Sequence, residues 1–354
     1  MKKSKNNRIK VMSSRHYQDT EYTSQRATRF YVNSDKKRKD IEPSMYTHMF
    51  IEDLHLGIMP IGWQPKRYSF ECKLEPNSVE TEKLIIDALP THHRAPDYLT
   101  EAISDFVEEA THIVSCYGKA FYEVISVYTD AKKDKIKGFQ IINISNNNIK
   151  NSFGFYWQYI PKEVRDYRAR ERNFIGQDAK DKQEDKKLIW LPRKSIFSLD
   201  FPRQLGGKGQ LKSILSNLKW AGQETVPKFY MKDMEVQKQQ EGYDFTTYRD
   251  NQDIFILKLT KHVGWPARSL SSDKLLEFYT LYRYLKFART QAVLREYIIN
   301  KLNILLCKLG KTIGFKAKIV ISNCISSEQL EKSMYDLIDG KLQFSEVVKL
   351  TRIS

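Results

Sequence analysis

Between Leu275 and Leu309 the chain carries an apolar stripe that only a long helix keeps on one side. Leu281, Tyr282, Leu285, Ala288, Ala292, Ile298, Leu302, Leu305 and Leu309 recur mostly at steps of three and four, the spacing that returns side chains to one helical face. At ~1.5 Å per residue this segment reaches roughly 50 Å. That exceeds an ordinary globular helix and reads as a structural strut. It does not read as a membrane span, because Asn300, Lys301, Asn303 and Lys308 interrupt "YIINKLNILLCKLG".

What precedes the strut is a break. "NQDIFILKLTKHV" fits either a strand or a helix, and Gly264-Trp265-Pro266 then stops it. The following "ARSLSSDK" offers Arg268 and Lys274 among small, flexible neighbours, with Lys261 just upstream. Arg283, Lys286, Arg289, Arg295 and Lys301 add cations along the strut itself. Such side chains can follow phosphates without reading base sequence.

A second punctuation mark is "DFPRQLGGKGQLKSIL", residues 200–215. Gly206, Gly207 and Gly209 surround Lys208 ahead of a helical pattern in Leu211, Ile214, Leu215, Leu218 and Ala221. A Walker-type loop needs a Ser or Thr directly after its lysine, and a dinucleotide fingerprint needs a third glycine. Both are missing, so the glycines read as a turn that opens a helix. Pro227 then kinks or divides the helical segment.

The N-terminal half mixes helix and strand. "PDYLTEAISDFVEEATHIVSCYG" has an apolar stripe from Leu99 to Tyr117, with Asp97 suited to the N-cap and Gly118 to the left-handed terminus. "KAFYEVISVY", "GFQIINIS", "SFGFYWQYI", "KLIWLP" and "SIFSLDF" read as strands from their aromatic and β-branched content. Helical stretches are expected on both sides of "GIMPIGWQP". A short strand, "GFKAKIVIS", follows the strut, and a Ser326-to-Gln329 capping box opens a helix that Gly340 closes. The fold class is therefore α+β.

Charge narrows the partners. Lys plus Arg number 59 against 43 Asp plus Glu, a net +16 that favours a polyanion. Residues 1–42 hold 12 of these cations against 5 acids and read as a basic arm; 161–187 reads as a charged, exposed insertion. Cys72, Cys116, Cys307 and Cys324 are widely spaced, so they suggest reduced thiols, with Cys116 and Cys307 as small buried hydrophobes. The seven histidines form no metal-ligand spacing, and adjacent His92-His93 point apart if extended. Glu108-Glu109, Asp130 and Asp134 read as helix surface and loop. Neither a catalytic group, a metal, nor a cofactor is indicated.

The order of these segments resembles the portal proteins of tailed bacteriophages, over roughly residues 95–350. "CYGKAFYEVI" is similar to that family's Gly-Asn-Ala-Tyr-x-Glu strand, with Lys119 where asparagine is usual. "SIFSLDFPRQLGGKGQLKSIL" resembles the passage into its first stem helix. "LTKHVGWPARSLSSDKLLEFY" looks like the approach to its tunnel loop, and "INKLNILLCKLG" like the end of its long helix. "QLEKSMYDLIDGKLQFSEVVKL" fits its closing helix and turn.

The resemblance implies a wing-like α/β domain at 43–205, a stem-like helical segment with a minimal clip at 206–263, and a tunnel-like loop at 264–274. The long helix with a C-terminal strand and helices would fill 275–354. It further implies a non-enzymatic homo-oligomeric ring, a dodecamer by analogy, assembled in the host cytoplasm and residing at the capsid vertex of the virion. The ring would conduct double-stranded DNA during packaging and ejection, with a packaging ATPase (terminase) and the capsid protein as partners and no membrane. Lys261, Arg268 and Lys274 would be its DNA contacts; Gly206, Gly207, Gly209, Gly264, Trp265 and Pro266 would shape its turns. Only "VQKQQEGYDFTTYRDNQ" separates the candidate stem segments, which leaves little room for a motor-docking clip. Two other readings fit the charge: a sequence-independent nucleic-acid-binding protein of a mobile element, and a metal-dependent nuclease.

Overall fold

The computed structural model describes residues 44–60, 70–89, 96–128, 136–144, 146, 149–152, 155–159, 188–223, 253–267 and 277–351. The basic arm, His92-His93, the insertion at 161–187, Pro227, Arg268 and Lys274 lie outside the described residues. In chain order the elements are α1 (Met45–Leu56), β1 (Glu71–Glu75), α2 (Val79–Ala88), α3 (Leu99–Tyr117), β2 (Lys119–Tyr128), β3 (Ile136–Ile144), β4 (Ile149–Ser152), β5 (Phe155–Tyr159), β6 (Leu188–Leu191), β7 (Ile196–Asp200), α4 (Gly207–Gln223), α5 (Glu277–Ile313), β8 (Lys318–Ser322), α6 (Ser327–Ile338) and α7 (Phe344–Thr351). Residues 253–259 are also helical, which resolves the ambiguous segment before Gly264. This is a mixed fold of helices and small antiparallel sheets.

The centre is α3. Leu99, Ile103, Phe106, Val107, Ala110, Ile113 and Val114 are buried in the main core, and so are polar neighbours on the other sides of the helix. A helix enclosed this way must satisfy its polar side chains internally. Thr100 Oγ1 accepts from Cys72 N of β1 at 3.0 Å, and Ser115 Oγ donates to Thr111 O at 2.6 Å. Glu109 Oε1 accepts from Asn143 Nδ2 of β3 at 2.9 Å. Glu109 is therefore a core residue rather than the surface carboxylate its neighbourhood suggests. The N-cap is also shifted: Tyr98 holds the position without a side-chain bond, while Asp97 N donates to Glu101 Oε2. Gly118 does close the helix in the left-handed region, φ 70°.

The turn at Gly118 feeds β2 into the middle of an antiparallel sheet of order β3-β2-β7. Ala120 and Tyr122 face the core, and the Tyr122 ring lies 5.3 Å from that of Phe106. A second antiparallel sheet, β4-β5-β6, has its own small cluster around Ile144 and Leu191. The third pairs β1 with β8 from opposite ends of the chain. β1 is a strand that the sequence pattern did not indicate; Cys72 and Leu74 alternate inward between exposed Glu71, Lys73 and Glu75.

Around this centre, α1 packs against α3 and α4, and α5 packs against α3, α6 and α7. Leu211, Ile214, Leu215 and Leu218 bury the inner face of α4, as their spacing predicts. At 37 residues, α5 is about 55 Å long. The capping box at Ser326 forms in full and starts α6. All four cysteines are free thiols, but Cys307 is exposed and not the buried hydrophobe expected of it. Burial pushes Cys72 up to about 12 and raises Cys116 further, so both are protonated at neutral pH.

Candidate nucleic-acid interface at the head of the long helix

The break before the strut is a tightly fastened joint. Trp265 is 0% exposed, with its ring 5.5 Å from Phe50 and its Nε1 donating to Asp53 Oδ2 at 2.9 Å. Burying an indole requires an acceptor for its N–H, and α1 supplies one 212 positions earlier. Gly264 has φ +77°, and a Cβ there would meet Lys286 Cβ at 2.6 Å and Phe287 N at 2.9 Å. Only glycine lets the chain lie this close against α5.

Arg283 does most of the fastening. It is buried, and its guanidinium donates to Leu257 O at 3.0 Å, to Thr260 Oγ1 at 2.9 Å and to the Trp265 carbonyl. Burial lowers its pKa, offset by Tyr279. Thr290 Oγ1 donates to Val263 O at 2.9 Å, about two helical turns further along α5. Gln291 Nε2 reaches Asp53 O and Arg295 Nη1 reaches Ile58 O, which ties α5 to α1 and the turn after it. Arg295 Nη2 also donates to Ile325 O. Arg283 and Arg295 are thus internal fasteners and not the phosphate contacts the sequence suggests. Arg289 bonds Glu331 of α6 at 3.2 Å in a partly exposed pair.

The cations left facing water gather at the same place. Lys258 and Lys261 are exposed, and Lys286 is half-buried with Nζ 5.9 Å from the Tyr282 ring centroid. Burial lowers the Lys286 pKa, and the positive charges of Arg283, Lys261 and Arg289 lower it further. Three cations therefore lie within electrostatic reach of a fourth. Arg283 is already bonded within the joint and Arg289 is paired with Glu331, so Lys261 and Lys286 are the charges left to attract an anion. Lys261, Gly264, Trp265 and Pro266 are brought together here, at the base from which the chain proceeds to Arg268.

The glycine turn sits elsewhere. Gly206 (φ +87°) closes the short turn Arg203–Leu205, Gly207 opens α4 and Gly209 lies in its first turn. Gly206 and Gly207 border an open cleft of about 990 Å³ that Tyr297, Asn300 and Lys301 of α5 line on the other side. From Lys286 to Lys301 is about 22 Å along the helix axis, so this is a separate place on the molecule. Among the described residues no group of three or more His, Cys, Asp or Glu is placed to hold a metal ion, and no helix is long and apolar enough to cross a membrane.

Sequence reasoning missed Asp53, Arg283 and Thr290 as parts of the joint. A buried Trp indicates that an acceptor exists, but not where it lies along the chain. No family model, curated protein or solved structure matches the chain.

Proposed function

We propose that the chain is the subunit of a ring-shaped channel of the portal kind, which passes double-stranded DNA without itself catalysing a reaction. The observation that carries this reading is the joint at the head of α5. A rod of about 55 Å begins beside a fixed base, Gly264-Trp265-Pro266, flanked by exposed Lys258 and Lys261 and by half-buried Lys286 of the rod. Copies arranged around an axis would present those cations as a ring to the duplex. Lysines suit transit, since each is a point charge that follows phosphates without a fixed geometry. The order of segments along the chain supports the same reading.

A packaging ATPase and the capsid protein are the partners this role requires, and the capsid vertex is its place. The test is duplex binding to the assembled protein over a salt series. Lys261→Gln and Lys286→Gln should each flatten the slope of log affinity against log salt by about 1. An unchanged slope in the double variant would remove the cluster from the DNA path.

A further inference from the structure

The sheet β4-β5-β6 has one face turned to the molecule and one to solvent. Leu191 and Gln158 are fully buried, and the Tyr156 ring lies 5.8 Å from Phe121 of β2. Strand alternation puts Phe155 and Trp157 on the opposite side. Trp190 joins them there, because the register pairs it with Trp157 across β5 and β6. These three large rings remain 48%, 37% and 48% exposed, with Phe155 and Trp190 centroids 6.3 Å apart. Large aromatics gathered on one exposed face indicate a binding surface, not chance exposure.

The charge around this face selects its occupant. Among the described residues 149–152, 155–159 and 188–195, the charged side chains placed in the structure are Arg193 and Lys194. Arg193 and Lys194 are exposed at the end of β6. Rings that offer π-faces, with exposed Arg193 and Lys194 at the end of the same sheet, match a chain with stackable bases and phosphates. We infer that the outer face of this sheet is a stacking platform for single-stranded nucleic acid.

This inference is independent of the channel reading. Duplex DNA keeps its bases stacked on one another, so the platform takes a different ligand from the lysine cluster on α5. Its specificity for sequence is low, because every base has a face to stack.

The experiment is fluorescence anisotropy of a labelled oligo-dT of roughly 12 nucleotides, within the usual site size of such platforms, against the full chain. The oligonucleotide should bind at low salt and weaken as salt rises. Trp157→Ala with Trp190→Ala should reduce affinity about tenfold or more. Arg193→Gln with Lys194→Gln should flatten the salt dependence. Circular dichroism of each variant should be unchanged, as the replaced side chains are at the surface. Lysine variants at 261 and 286 should leave oligo-dT binding intact, which separates failure here from failure of the channel reading. The inference is overturned by absence of binding at low salt, or by binding that the tryptophan pair does not affect. It is equally overturned if the tryptophan variant binds oligo-dT normally but changes particle mass, which would assign the face to a second copy of the chain.

Discussion

Arg283 and His55 show how much of this chain's polar chemistry is spent internally. Arg283 serves two carbonyls and a hydroxyl in a buried joint. Replacing it with Met keeps the volume but leaves those acceptors unpaired, at a cost of about 3 kcal/mol. Arg283→Lys should not restore the loss, since an ammonium lacks the planar fork; urea unfolding of both variants measures this. His55 lies with its ring 4.9 Å from His112, which in turn approaches Cys116 Sγ at 3.8 Å. Burial lowers the His55 pKa, against weaker upward effects of the Ile51 carbonyl, Glu52 and Asp53; burial lowers His48 as well, against Glu52. A histidine whose folded pKa lies below its unfolded value binds fewer protons when folded. Its contribution to stability is complete above the unfolded pKa of about 6.5 and is lost as pH falls toward the folded value. The urea midpoint should therefore drop between about pH 7.5 and about pH 5.5, and His55→Phe should reduce the drop. An identical pH profile in that variant would show that His55 does not carry it.

At the scale of elements, side chains stand in for strand neighbours and loops. Asn303 of α5 donates from Nδ2 to Ile319 O at 2.9 Å and accepts from Ile319 N at 2.7 Å. The amide thus completes the hydrogen bonding of β8 and fixes the β1–β8 pair to the rod. Asn303→Leu should cost about 2 kcal/mol and speed hydrogen exchange of the Ile319 amide, while α3 amides stay protected. Most helices and strands could be read from the sequence because their signals are local: the stripe of α5, the alternation of β2, the capping box of α6. β1 was hidden by the three charged residues in "ECKLE", although its inward pair keeps the period of two. Arg283, Arg295 and Glu109 were misread for a general reason. Charged residues are almost never fully buried unless paired, and most of their partners here lie 18 to 237 positions away. Only the tertiary fold brings them together.

For the molecule as a whole, assembly turns on how the rods are used. α4 packs against α1, whereas α5 runs past α3 to α6 and α7, so their exposed faces are available to other copies. Exposed Phe278 and Tyr284 near the start of α5, and Ile254 and Phe255 on the helical turn before Gly264, are apolar surface beside the lysine cluster. A heterologous contact that repeats around an axis closes into a ring and needs no twofold symmetry. The net charge of +16 would disfavour such an assembly at low salt and favour it once a polyanion is threaded through it. The most direct measurement is negative-stain electron microscopy of the purified full chain, with mass photometry of the same sample. A portal-like subunit should give closed rings with a central opening wide enough for a duplex and a mass near a whole multiple of the subunit. Particles of 41.7 kDa with no rings at any salt concentration or in the presence of duplex DNA would contradict it.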